Sequence, residues 1–314
     1  MTYFALSDNA ARQLIDSSTI FYEYHRAVAA ARQYAGGMYW KVQGEYTYLV
    51  KTMPDNRQKR IGPKSAVTET IYNEFTTRKL QTESRVASLR SALVDAERLN
   101  KALKVGRVPA IVVSVLQILE DAGLGEHFSV VGTHALYAYE SAAGIRIVQG
   151  ALATQDVDLL WDARQRVRFI ADMERLDISV LKLLQKADPS FLRKEDQINT
   201  AINSKGFEIE FLRRMQQEDD EHPFQLTNHE DDLWVEQALR ASVLTDAPRF
   251  EHVVVAANGR MALMRTIEPR VFVEFKNWLA TKAKNRPAVK RRRDQLQALI
   301  VQSLLEDGIL LPNS

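Results

Sequence analysis

Apolar positions in the first third of the chain recur at helical spacing, then at strand spacing, then at helical spacing again. Over residues 8–34, Leu14, Ile20, Phe21, Tyr24 and Val28 form one stripe, which predicts an amphipathic helix stopped by Gly36-Gly37. Residues 38–42 and 46–50 are aromatic and β-branched and flank Gln43-Gly44-Glu45, the pattern of a β-hairpin. Pro54-Asp55-Asn56 makes a second turn, 57–61 is a candidate third strand, and Gly62-Pro63 closes the unit. Over 65–103, Leu80, Val86, Leu89, Leu93 and Leu99 mark a long helix, expected to run antiparallel to the first.

Past Gly106 and Pro109 the pattern changes to short alternating helices and strands. Helices are expected over 109–122, 133–143, 163–176 and 180–186, and strands over 128–131, 145–148, 156–160 and 207–212. An acidic linker at 218–221 follows. Two strands, 252–256 and 261–266, then meet across Asn258-Gly259, a strong tight-hairpin signal, before helices over 269–284 and 289–307. The order predicts an α+β fold whose core holds a small mixed sheet. An N-terminal helical and β-hairpin region precedes the core and a C-terminal helical region follows it. The expected division is 1–105, 106–215 and 216–314.

Composition narrows the function. With 46% hydrophobic and 26% charged residues the chain is a folded globular type rather than a disordered one. It has no cysteine, which excludes disulfides, cysteine-ligated zinc and thiol catalysis. Residues 1–15 lack the basic-then-apolar pattern of a secretory signal, and the longest apolar stretch, 108–119, is too short to span a bilayer. A cytoplasmic protein with no membrane partner is the expectation. The net charge of +2 does not by itself demand nucleic acid, but Arg57, Lys59 and Arg60, and the run Lys290 to Arg293, are local basic clusters suited to phosphate.

The densest chemistry lies in Thr154-Gln155-Asp156-Val157-Asp158-Leu159-Leu160. On a strand Asp156 and Asp158 share one face while Val157 and Leu159 point to the other. Paired bare carboxylates repel, and a divalent cation with hard-oxygen preference removes that repulsion. Upstream, Ser129-Val130-Val131-Gly132-Thr133 reads as a strand, a glycine that lets a ligand approach the backbone, and the start of a helix. Thr133 would also serve as an ordinary helix cap. Downstream, Phe207-Glu208-Ile209-Glu210-Phe211 alternates, so Glu208 and Glu210 share a face and either supplies a third carboxylate.

Together, Gly132-Thr133, Asp156-Val157-Asp158-Leu159 and Ile209-Glu210-Phe211 resemble the motifs of the DNA polymerase β-like nucleotidyltransferase superfamily. With Ile61-Gly62-Pro63-Lys64-Ser65 ahead of this core, the chain also resembles a bacterial nucleotidyltransferase-fold family. Phe275-Lys276 and the run Lys290 to Asp294 are similar to segments of abortive-infection type nucleotidyltransferase toxins. These resemblances imply transfer of a nucleoside monophosphate from a nucleoside triphosphate to an acceptor hydroxyl. They imply two magnesium ions, with manganese as a substitute, held by Asp156, Asp158 and Glu210. Gly132, Thr133, Lys276 and Arg293 would hold the nucleotide. Glu210 is preferred over Glu208 because Phe211-Leu212 follows it. The acceptor is RNA or tRNA by preference, or a protein. A non-catalytic nucleic-acid- or partner-binding protein of a toxin–antitoxin or defence system is the alternative. Three features depart from the superfamily pattern: a threonine follows the glycine, the gap from Gly132 to Asp156 is long, and the third acid is a glutamate with another acid, Glu208, two residues before it.

Other residues carry two readings. Asp162 shares parity with the acidic pair but precedes a helix, where an acid is ordinarily a cap. His134 adjoins the phosphate position but is a lone helix histidine. Trp40, Tyr46 and Tyr48 beside Arg57, Lys59 and Arg60 would suit nucleic acid, or would pack the hairpin onto the long helix. Neither a Gly-x-Ser-x-Gly elbow nor a Walker-type phosphate loop occurs.

Overall fold

The computed structural model describes residues 2–217, 220–284 and 286–311. The chain forms two compact units, one of Ile15–Leu99 and one of Met1–Leu14 with Asn100–Ser314. Residues 106–215 and 216–314 therefore lie in the same unit. The helices Asp8–Arg32 and Ala66–Ala102 contribute to both units.

In the smaller unit the strands Gly37–Gln43, Tyr46–Thr52 and Gln58–Pro63 make an antiparallel three-stranded sheet. One face packs on the long helix. Trp40 meets Tyr72 with ring centroids 5.7 Å apart, Leu49 is fully buried, and the Lys51 ammonium lies 5.6 Å from the Phe75 ring. The two helices run antiparallel as expected: Arg85 pairs with Glu23 at 2.7 Å, and Lys79 donates to the carbonyl of Gly36.

The larger unit is built on a mixed sheet ordered Phe128–Val131, Asp156–Trp161, Glu208–Arg213, Thr200–Ile202, Leu192–Arg193. Asp156–Trp161 pairs antiparallel with Phe128–Val131 and parallel with Glu208–Arg213. The short strand Glu236–Gln237 extends Glu208–Arg213. Val157, Leu159, Ile209 and Phe211 are buried on the core face, as alternation required. Trp161 stacks on Phe224 at 4.5 Å and meets Phe169 edge-on, and Phe128 packs edge-on against both Phe169 and Phe211. The hairpin Arg249–Val255 and Met261–Ile267 turns at Asn258-Gly259. The helices Pro269–Thr281 and Ala288–Glu306 follow it.

Several expectations shift in detail. The helix expected over 133–143 opens with a 3-10 turn, Gly132–Ala135, before Leu136–Ala143, because the chain leaves an extended Val131 through a left-handed Gly132. The hydroxyl of Thr133 does not cap a helix; it accepts a hydrogen bond from Gln297 at 3.1 Å. Asp162 is the expected cap, accepting from the backbone N–H of Arg164. Tyr3–Ala5, Leu192–Arg193 and Thr200–Ile202 are strands of two or three residues, too short to leave a periodic signal. Of the expected acidic linker, Glu218 and Asp219 lie outside the described residues. Its remaining acids are paired, Asp220 with Arg214 at 2.7 Å and Glu221 with Arg166.

Candidate active site

Two neighbouring strands set the acids side by side. Glu210 is the register partner of Asp158, and Glu208 is the partner of Asp156. All four carboxylates rise from the face opposite Val157, Leu159, Ile209 and Phe211. Glu208 accepts a hydrogen bond from Lys194 at 3.0 Å. Asp156, Asp158 and Glu210 line a cavity of about 470 Å³.

The carboxylates are electrostatically strained. Burial raises Asp158 from 3.8 to about 7, with Asp156 and Glu210 adding repulsion and Lys276 and Lys290 relieving part of it. Glu210 is also raised, first by burial, then by Asp156 and Glu208, with Lys290 opposing. Asp156 shares a short contact with the Thr154 hydroxyl. Groups this crowded favour protonation or a cation.

Gly132 forms the facing wall. Its φ is +70°, and a Cβ there would sit 2.1 Å from the Asp158 carboxylate. Only a residue without a side chain lets this turn close over the acid. Thr133 lies beside it in the same wall.

The rim is basic. Lys276, Lys284, Arg286, Lys290 and Arg293 all line the cavity. Lys276 is buried, is lowered by that burial, and donates to Asp294 at 3.0 Å. Arg286 also contacts Asp294, so this fully buried acid fixes two cations at the cavity wall. Arg293 donates to the Ala153 carbonyl at 2.8 Å. The remaining lining is apolar, with Leu160, Leu212, Phe275 and Trp278, and Phe275 stacks on Trp278 at 6.1 Å.

The structure thus gathers Gly132, Thr133, Asp156, Asp158, Glu210, Lys276 and Arg293 around one cavity, although they are spread across 162 positions of sequence. His134 is not part of it. It is buried against Tyr137 and Phe207, and burial lowers its imidazole to about 4, so it is neutral near pH 7. Sequence reasoning did not assign Lys290 or Trp278 to this site. Lys290 stands three residues before Arg293 on one helix, a spacing that shares a face and was available to find it. Nothing in the local sequence marks Trp278.

Among the described residues no three His, Cys, Asp or Glu side chains form a ready-made metal cage. A magnesium ion ordinarily keeps several waters and takes one or two carboxylates plus phosphate oxygens. The repulsion stored at Asp158 and Glu210 is what a cation would relieve.

The chain is an α+β protein whose mixed sheet presents paired strand acids to a glycine-walled, basic-rimmed cavity. Residues 110–309 match the model of a family described as Nucleotidyltransferase, and the chain belongs to that nucleotidyltransferase family. No curated protein and no solved structure matches the chain significantly.

Proposed function

We propose that the chain transfers a nucleoside monophosphate from a nucleoside triphosphate to an acceptor hydroxyl and releases pyrophosphate. Membership of the family supports nucleotidyl transfer in general. The observation carrying the finer reading is the placement of Asp156, Asp158 and Glu210 in one cavity with a bare glycine wall and a basic rim.

Asp156, Asp158 and Glu210 would hold two magnesium ions, or manganese in their place. When bound, these ions would neutralise the triphosphate and lower the charge cost of in-line displacement. The chain supplies the rest. The turn at Gly132 and Thr133 brings backbone against the phosphates. Lys290 and Arg293 neutralise phosphate charge, the arginine as a fork and the lysine as a point charge. Lys276, held by Asp294, adds a fixed positive field at the cavity wall. The apolar lining with Phe275 and Trp278 suits the nucleobase face. The acceptor oxygen bonds to the α-phosphorus as the bond to the pyrophosphate oxygen breaks. Glu210, whose proton affinity is raised, would take the hydroxyl proton.

RNA, tRNA included, is the acceptor we favour, in keeping with the resemblance at Lys276 and Arg293 to the toxin-type transferases. No helix among the described residues is long and apolar enough to cross a membrane. The test is incubation of the full chain with α-labelled nucleoside triphosphates, magnesium and total tRNA. Label transfer that is lost in Asp158→Ala is expected. No transfer by the wild type with any of the four nucleotides, or equal transfer by the variant, would overturn the proposal.

A further inference from the structure

The three-stranded sheet of the smaller unit has a second face that the cavity chemistry does not use. Cross-strand register fixes its membership. Tyr39, Lys41 and Gln43 lie opposite Val50, Tyr48 and Tyr46, and Arg60 lies opposite Val50 on the third strand. Side chains opposite each other share a face, and alternate residues along a strand do too. Trp40, Leu49 and Lys51 occupy the other face, which is the one packed on the long helix.

Away from Val50, which is buried on this same side, the second face is aromatic and cationic at once. Tyr39 and Tyr46 are exposed, Tyr46 by 64%, and Tyr48 is half-buried 6.3 Å from it. The Arg60 guanidinium lies over the Tyr48 ring at 3.0 Å. Lys41 stands across from Tyr48. Among the described residues no carboxylate pairs with Lys41, Lys59 or Arg60, and the nearby Asp55 is already taken by Arg57. The segment 37–64 carries six basic residues against two acidic, an excess larger than that of the whole chain.

A solvent-facing sheet ordinarily shows polar residues with mixed charge, and here the acids are missing. Tyrosine faces offer stacking to any base, and neighbouring cations meet the phosphates. A duplex hides its base faces, so stacking selects an unpaired strand. From this register and charge we infer that the open sheet face, Tyr39, Lys41, Tyr46, Tyr48 and Arg60, is a binding site for single-stranded nucleic acid. The inference does not depend on the transfer reaction and stands or falls separately from it.

The test is fluorescence anisotropy of a labelled single-stranded RNA of about a dozen nucleotides with the full chain, over a range of salt. The wild type binds at low salt, and binds an RNA duplex of equal charge more weakly. Tyr46→Ala weakens binding roughly tenfold, the loss of one stacked base. Lys41→Gln reduces the slope of log affinity against log salt by about 0.7, one phosphate contact on a single strand. Asp158→Asn binds as the wild type does. Both sheet substitutions are at exposed positions, and circular dichroism checks that the fold is kept. Undetectable wild-type binding at low salt, equal affinity for the duplex, or unchanged affinity in both sheet variants would overturn the inference. Loss of binding in Asp158→Asn would place the nucleic acid in the cavity instead, and would equally overturn it. Retention on this face of a protein partner that RNA does not displace would also count against it.

Discussion

Replacing Asp158 by asparagine tests the electrostatic core of the site without touching its shape. The carboxyl is raised from 3.8 to about 7, chiefly by burial and then by Asp156 and Glu210. It accepts no hydrogen bond from another side chain or backbone group among the described residues, so the ionised form has little compensation. A rise from 3.8 to about 7 corresponds to roughly 4 kcal/mol, and water in an open cleft screens this to roughly 1–3 kcal/mol. The sign follows from proton binding. Between about pH 4 and 7 the folded protein holds the proton more tightly than the unfolded chain, so stability falls as pH rises through that window. The cost is complete above pH 7 and absent below about 4. Asp158→Asn removes it. At pH 8, without divalent cations, the variant should melt roughly 2–6 °C above the wild type, and the gain should shrink towards zero at pH 4. Magnesium should stabilise the wild type at pH 8 and the variant much less, because the variant lacks one of the charges that a cation relieves. Differential scanning fluorimetry reads both effects. A variant that melts below the wild type at pH 8, or that gains as much at pH 4, refutes the account.

Other consequences are equally specific. Gly132→Ala places a methyl on the Asp158 carboxylate and an L-residue at positive φ, so it should cost roughly 1–3 kcal/mol in chemical denaturation and abolish transfer activity. Lys290→Gln should raise KM for the nucleoside triphosphate roughly tenfold or more in steady-state assays while leaving the melting temperature near that of the wild type. Asp232→Ala should cost roughly 2–4 kcal/mol, since this fully buried carboxylate accepts from the backbone N–H groups of Val180 and Leu181 and from the Thr227 hydroxyl. A loss below about 0.5 kcal/mol in urea unfolding would contradict that role.

Much of this protein was legible from residue order because its local signals agree with one another. The strand 128–131, the start of the strand at Asp156 and the helix start at Asp8 fall where alternation and helical spacing placed them. The shared face of Asp156 and Asp158 follows from the pleat alone. Other features depend on partners far along the chain. That Glu210 stands beside Asp158, while Glu208 is held by Lys194, is decided by strand register. Lys276 reads as a phosphate ligand in sequence, yet the fold buries it against Asp294, and Thr133 reads as a cap, yet Gln297 takes its hydroxyl. The open tyrosine face shows the same split. Its residues are plain in the sequence, and which of them face solvent was settled when Trp40 and Leu49 packed on the long helix. Sequence determined the elements and the parity of their side chains, because those depend on neighbours a few bonds apart. Tertiary structure decided which parities meet, because register, burial and the raised proton affinity of Asp158 arise from groups that are close only after folding.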